Sequence, residues 1–330
     1  GSYYTPRVIV HFMCQQALKE YLASESQIDP TKLEMLSELN PPDQLEDWQA
    51  DLLKDIVSIP EARLLRDLAK RVFVLDPAVG SGAFLVGMLH EMLTLVKYMD
   101  VREHGLEHIA RRNYDYELKR DIIENCLYGV DILEQAVRIC ELRLWLSLVV
   151  DYEKAPDQEV PPLPNLSYQV RQGDSLIETL FGQRVRLDTL TKTEKGRQLI
   201  DEIQQEKHAY FLTRGLKEKR QKELSILVKQ CELAEILVKE KRQSIGTRQR
   251  LFGEMTDKEA IENEEFRQQI AALDKLTSSA KSARDKAQAW LDGKLPSSST
   301  DINKLRQALG ISFVWRLDFA EVFKAQDGFD

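Results

Sequence analysis

Between Arg71 and Asp174 three short runs of β-forming residues alternate with apolar helical stretches, and each run closes on an acid. The runs are Arg71 to Leu75, Leu127 to Val130 and Tyr168 to Arg171, followed by Asp76, Asp131 and Asp174. Between them, Ala83 to Val96 and Leu133 to Tyr152 read as helices. Strand, loop, helix, strand, helix, strand is the grammar of a parallel sheet with right-handed crossovers. The charged stretch from Lys97 to Asp121 reads as an excursion from that pattern.

Upstream, Ile9, Phe12, Met13, Ala17, Tyr21 and Leu22 make one apolar stripe, which predicts a helix from Pro6 to Ala23 with Thr5 as its cap. Residues 24–42, with Pro30 and the Pro41-Pro42 pair, read as irregular. Helical periodicity returns from Gln44 to Lys70, with a break at Pro60.

Downstream of Leu190 the composition shifts. Lys192 to Arg250 holds 15 Lys+Arg and 9 Asp+Glu, so this segment is +6 in a chain whose net charge is -8. Leu224, Leu227, Cys231, Ala234 and Val238 step at heptad spacing, as do Phe266, Ile270, Leu273, Thr277 and Ala280. Two long helices parted by Gly246 to Met255 should pack as an antiparallel hairpin. The stretch Pro296 to Thr300 ends it, and Ile311 to Phe323 is aromatic-rich with strand character.

A chain of 330 residues with 43% hydrophobic and 30% charged residues can bury a core and is neither a disordered nor a disulfide-stapled chain. No apolar run is long enough for a bilayer and no leader opens the sequence, so no membrane partner is expected, and either a cytoplasmic address or an interior fragment. Cys14, Cys126, Cys140 and Cys231 form no C-x-x-C pair, which points to core residues or free thiols and to no metal.

The chemistry is expected at the carboxyl ends of the strands. In Asp76-Pro77-Ala78-Val79-Gly80-Ser81-Gly82-Ala83-Phe84, Gly80 and Gly82 let the backbone turn sharply and lie against a ligand, and the following helix offers free amides to a carboxylate. Neither the dinucleotide fingerprint nor a Walker loop is spelled here, since Leu85 replaces the third glycine and no Gly-Lys-Ser/Thr follows. Asp131 can accept from ribose hydroxyls or cap a helix. Asp174, in Gly173-Asp174-Ser175-Leu176, can accept from an adenine amino group.

Taken in order, Tyr3-Tyr4-Thr5-Pro6, the Asp76 to Phe84 loop, Tyr128-Gly129-Val130-Asp131-Ile132 and Gly173 to Leu176 resemble the S-adenosyl-L-methionine (AdoMet) motifs of DNA adenine-N6 methyltransferases. The likeness is closest to the gamma-type arrangement of type IIG restriction-modification enzymes. It covers Gly1 to about Phe181 and resumes from Ile311 to Asp330. The resemblance implies an α/β, Rossmann-like AdoMet-dependent methyltransferase core, truncated and carrying a long α-helical hairpin insertion. Residues 1–190 would be the core with its N-terminal helices, 191–300 the insertion and 301–330 the return to the core. It further implies that Tyr4, Thr5 and Pro6 line the methionine end above the Asp76, Pro77, Ala78, Gly80, Ser81, Gly82 and Phe84 loop. Asp131 would hold the ribose, Ile132 would pack on the adenine, and Asp174, with Ser175 and Leu176, would receive its amino group. In the family a segment like Gly328-Phe329-Asp330 runs into a strand and the catalytic Asn-Pro-Pro-Tyr. That motif positions a flipped adenine for in-line attack. It is read as missing from this chain, which ends like a cut at Asp330. The expectation is therefore weak AdoMet binding at best and no methylation by the chain alone. Specific contacts to double-stranded DNA would come mostly from parts not present. The charged hairpin reads as a solvated helix pair more than as a phosphate-facing arm.

Other readings compete. Gly173 to Leu176 also spells the nucleophile block of Gly-Asp-Ser-Leu hydrolases, but the required Asp-x-x-His is lacking, since Gln205 precedes His208. His104-Gly105-Leu106-Glu107-His108 matches the inverted zinc-peptidase spelling, although Gly105 weakens the helix that must present both rings. His11 and His90 read as core-edge residues. A catalytically silent scaffold for protein partners, or methylation of RNA or protein, are the alternatives to DNA methylation.

Overall fold

A computed structural model describes residues 5–154, 163–184, 187, 190–251, 257–294, 302–326 and 328–329, with the side chains of 245–251, 257–266 and 326 left aside. The chain divides into two compact units, Gly1–Gln172 with Phe329–Asp330, and Gly173–Gly328.

The first unit runs α1 (Arg7–Ser26), α2 (Pro30–Ser37), a 3-10 turn (Pro42–Gln44), α3 (Asp47–Ile56), α4 (Ile59–Ala69), β1 (Val74–Asp76) and α5 (Ala83–His104). It continues through α6 (Leu106–Ile109), α7 (Tyr114–Asn125), β2 (Leu127–Asp131), α8 (Glu134–Val149) and β3 (Val170–Gln172). The three strands form a parallel sheet in the order β1-β2-β3, with Leu75 opposite Tyr128 and Val130 opposite Arg171. All three predicted strands exist, each displaced by no more than three residues at either end.

The apolar spine of the unit is α5. Leu85, Leu89, Met92, Val96 and Met99 step by four and three along one face and are fully buried. Gly87 on a neighbouring face lets α1 approach closely, because a Cβ there would lie 2.6 Å from a Val10 methyl carbon and 3.2 Å from Cys14 Sγ. Leu22, later in α1, shares a cavity with Tyr98, later in α5. The two helices therefore start at the same end of the unit.

Several expectations fail for physical reasons. The first helix begins at Arg7, with Pro6 as the residue before it and no capping side chain, so Thr5 is not the cap. Residues 24–42 are not irregular throughout. Asp29 accepts from Thr31 N (3.0 Å), Pro30 fits the first turn of α2, and Leu33 and Leu36 are buried. The break in the next helical stretch falls at Val57-Ser58, not Pro60. Ser58 and Glu61 form a capping box, and proline is tolerated in a first helical turn. The Lys97 to Asp121 stretch is helical for most of its length. Its charges are used internally: Lys97 bonds Asp43 and Asp115, and Lys119 bonds Asp151.

The second unit contains the antiparallel β4 (Thr179–Leu180) and β5 (Gln183–Arg184), followed by α9 (Glu194–Phe211), α10 (Leu216–Leu251), α11 (Asp257–Leu291), α12 (Ile302–Ala308), α13 (Trp315–Asp318) and α14 (Ala320–Gln326). Phe181 and Gly182 both take positive φ between β4 and β5, the geometry of a two-residue hairpin. The heptad positions Leu224, Leu227, Cys231, Ala234 and Val238 are buried, as are Leu273, Ala280, Ala283 and Ala287 on α11. Helix α10 runs on past Gly246 to Leu251, so the expected break is shorter than drawn. Residues 252–256 and Pro296 to Thr300 lie outside the described residues. The Ile311 to Phe323 segment is not a strand. It forms α13 and α14, with Phe313 and Trp315 edge to face at 4.6 Å.

Among the described residues no helix is long and apolar enough to cross a membrane. All four cysteines are buried and unpaired with one another, and burial pushes the thiols of Cys126, Cys140 and Cys231 up to about 12.

Candidate functional site

Parallel pairing sets the carboxyl ends of β1 and β2 side by side, with Asp76 opposite Gly129 and Asp131 two residues further on. The loop after β1 is tied to β2 by its backbone, Val79 N donating to Val130 O (2.9 Å) and Gly82 N to Val79 O (2.8 Å). Val79 packs onto the backbone of Gly129, where a Cβ would sit 2.9 Å from its methyl carbon and 3.1 Å from Leu85 Cδ1. Gly82 has φ +79°, and a Cβ there would fall 2.6 Å from Cys140 Sγ on α8. From the same helix, Arg143 donates to Ser81 O (3.0 Å) and Ser81 Oγ (3.1 Å). Two glycines that fit nothing larger and one arginine thus hold the loop's shape.

Gly80 differs from Gly82. It also has positive φ, but a Cβ on it would meet only Ala78 O, at 3.9 Å, so its face is open. Its amide donates to Asp131 Oδ2 at 2.9 Å, while Asp131 Oδ1 accepts from Leu133 N at 2.8 Å. Each of these oxygens retains a further acceptor position. Asp76 accepts from Ala78 N (3.1 Å). Burial holds its carboxyl above the ordinary range, the Ala78 bond opposes that, and the negative charge of Asp131 adds to the rise. The amino end of α5 has neither a capping side chain nor an acid in its first turn, so its dipole is available to an anion. Ile132, just past Asp131, is 64% exposed. The cluster offers a cation two carboxylates, a diol an acceptor, a carboxylate a helix start and a flat ring an aliphatic surface.

Thr5, Pro6 and Phe84 lie at the start of α1 and α5, the end of the unit that carries this loop. Pro77 and Ala78 form the exposed outer turn. Tyr4 lies outside the described residues. Asp174, Ser175 and Leu176 belong to the second unit. There Asp174 Oδ1 accepts from Leu176 N (2.9 Å) and Ile177 N (3.2 Å), Ser175 O accepts from Trp315 Nε1 (3.1 Å), and Leu176 is 92% exposed. Gly173 has no room for a Cβ, which would overlap Phe313 Cβ at 2.1 Å.

One reading of the sequence needs correction. The chain does contain an Asn-Pro-Pro, at Asn40-Pro41-Pro42, followed by Asp43 where the catalytic motif has an aromatic. Its position rules out that role. The carbonyls of Leu39 and Asn40 accept from Tyr98 Oη (3.1 and 2.8 Å), fifteen residues along α5 from Ala83. At 1.5 Å per residue that is about 22 Å from the glycine loop. Pro42 is buried as the start of a 3-10 turn. The tripeptide is structural. Cys140 and Arg143, by contrast, support the site without having been singled out. Both sit inside a helix that is apolar on more than one face, with Ile139, Leu142 and Leu146 exposed, so no local signal marks them.

Such a loop, with an acid at the tip of the neighbouring strand, is where a parallel sheet ordinarily receives a small ligand. Residues 125–330 match the model of the Eco57I restriction-modification methylase, and the chain belongs to that family. A protein of Methanocaldococcus jannaschii described as a type II restriction enzyme and methyltransferase is 35% identical over 188 residues, 54% of this chain and 14% of that protein. A type II restriction enzyme and methyltransferase of Escherichia coli is 28% identical over 120 residues, 35% of this chain and 12% of that protein. The matches thus span well under a fifth of either relative's length. No solved structure matches the chain.

Proposed function

We propose that this chain is the AdoMet-binding part of a Rossmann-like, gamma-type methyltransferase that modifies adenine N6 in a specific double-stranded DNA sequence, within a larger restriction-modification enzyme. The observation that carries this reading is the bond from the Gly80 amide to Asp131, which closes a carboxylate-lined cradle whose Gly80 face is open. AdoMet, when bound, supplies a methyl group activated by a sulfonium. Asp131 accepts the ribose hydroxyls through its remaining lone pairs, and Ile132 covers one face of the adenine. Asp76 faces the cationic end, the free amides of α5 take the methionine carboxylate, and Thr5 and Pro6 close that end with Phe84. The nucleophile-positioning Asn-Pro-Pro-Tyr and the DNA recognition surface come from elsewhere in the parent protein.

Titration calorimetry with AdoMet and with S-adenosylhomocysteine tests the cofactor half. Binding by the chain that weakens in Asp131→Ala supports it, and no binding to chain or parent overturns it. For the substrate half, the parent protein is given tritiated AdoMet and duplex DNA. Label recovered as N6-methyladenine supports the proposal, whereas label in cytosine, RNA or protein overturns it.

A further inference from the structure

The strongest unassigned group lies at the opposite end of α5 from the glycine loop. Helix α5 ends at His104, Gly105 turns the chain at φ +85°, and α6 starts at once. The turn folds His108 back so that its ring stacks on that of His104, centroids 4.5 Å apart and planes 30° apart. One helical turn before His104 is Asp100, a buried carboxylate whose Oδ1 accepts from Arg66 (3.1 Å) and whose Oδ2 accepts from Tyr114 Oη. His108 Nε2 is 4.0 Å from Asp100 Oδ2, and one ligand atom from each of the three residues lies within 4.8 Å of the others. They face a cavity of about 480 Å³ that Arg66, Lys70 and Arg111 also line.

We propose that Asp100, His104 and His108 form a binding site for a divalent transition-metal ion, zinc foremost, that braces the junction of α5, α6 and α7. Two imidazoles and one carboxylate suit zinc, cobalt or nickel better than magnesium or calcium. Ligand atoms about 2.1 Å from a shared zinc stand roughly 3.3 Å apart, so the group must close by about an ångström. The exposed His104 and half-buried His108 side chains can supply that movement. Asp100 is already oriented by Arg66 and Tyr114, the outer bonds that metal-bound carboxylates ordinarily have.

The cations in the cavity are engaged. Arg66 also bonds Glu103 (2.7 Å), and Lys70 faces Asp121 (3.8 Å). Arg111 stands differently, since its guanidinium meets His108 Nε2 at 3.1 Å, the lone pair a metal would take. Arg111 is therefore the metal's competitor, and its removal should tighten binding. Glu107, the would-be base of the inverted zinc-peptidase spelling, is exposed and outside the group. The site is a structural tie and hydrolyses nothing.

The test uses the full chain, stripped with chelator, then titrated with zinc in a thermal-shift assay and with cobalt by visible absorption. The expected result is one tightly retained metal per chain, a rise in Tm, and tetrahedral cobalt bands. His104→Ala and His108→Ala, both at solvent-accessible positions, should lose all three signals while keeping the metal-free Tm. Arg111→Gln should lower the half-saturating zinc concentration by roughly tenfold, the scale on which outer-shell changes act. Absence of stoichiometric metal in both wild type and Arg111→Gln overturns the proposal. So does metal retained in a variant carrying both His104→Ala and His108→Ala, or a Tm rise with inorganic phosphate and none with zinc.

Discussion

Charge is used in opposite ways at the strand tips of the sheet unit and in the interior of the helical unit. In the sheet unit the carboxylates at the strand tips bond to backbone amides: Asp131 to Gly80 and Leu133, Asp76 to Ala78. In the helical unit charges bond mainly to other charges or to side-chain amides in the interior. Arg306 bonds Asp318 (3.0 Å) and Gln230 (2.6 Å), and Lys207 bonds both oxygens of Glu321 (2.9 Å each), all of them buried. A carboxylate held by amides keeps acceptor capacity for a ligand, whereas a buried ion pair is closed to one. The first arrangement is built to receive a molecule and the second to lock α9, α10 and the terminal helices together.

The largest effect should come from breaking the closed network. Arg306→Met leaves Asp318, with no exposed surface, without its guanidinium, and should cost about 3–5 kcal/mol in urea unfolding of the chain. A loss near zero would remove the structural side of the contrast. Next comes Gly82→Ala, which adds both a clash with Cys140 and a strained φ, for roughly 2–4 kcal/mol. Combined with Cys140→Ala the loss should fall short of the sum of the two single variants, because they share one contact. Additive losses would mean that α8 does not shape the loop. Asp131→Asn is smaller for stability, under about 1 kcal/mol, but should weaken AdoMet roughly 10- to 100-fold, the range for hydrogen bonds to a charged group. Comparable losses in binding and stability would make Asp131 a cap and nothing more.

What could be read in the chain beforehand follows from how local each signal is. The glycine loop, the acids at the tips of the first two strands and the hairpin seam at Leu224 to Val238 depend on spacing over a few residues, and these are found where the pattern puts them. The charged stretch after Lys97 misled because Lys97 and Lys119 are satisfied by residues 54 and 32 positions away, Asp43 and Asp151. Their burial is invisible to periodicity. The Ile311 to Phe323 segment misled because its aromatics pack on one another around two short helices and the turns that flank them, and composition alone does not separate that from a strand. Arg143 was illegible for the same reason as Lys97. Its role lies in Ser81, 62 residues away.

The finest test of the contrast is the pH behaviour of Asp76. Its folded-state carboxyl is raised, chiefly by burial, so its contribution to stability is fully present below the unfolded-state value and is lost as pH rises through the folded one. Asp76→Asn keeps an oxygen for Ala78 N but carries no charge, and should therefore be stabilised relative to wild type on going from acid to neutral pH. Binding should run the other way. A sulfonium ligand favours the ionised form, so wild-type AdoMet affinity should climb with pH across the same interval while the Asp76→Asn variant stays flat and weak. Parallel titrations of melting temperature and of affinity from about pH 4 to 8, a window set around the ordinary carboxylate range, read both slopes. Opposite slopes in wild type, both abolished in the variant, identify a carboxylate kept at a cost to stability because a cation uses it. Equal slopes in the two proteins would assign Asp76 to the turn alone.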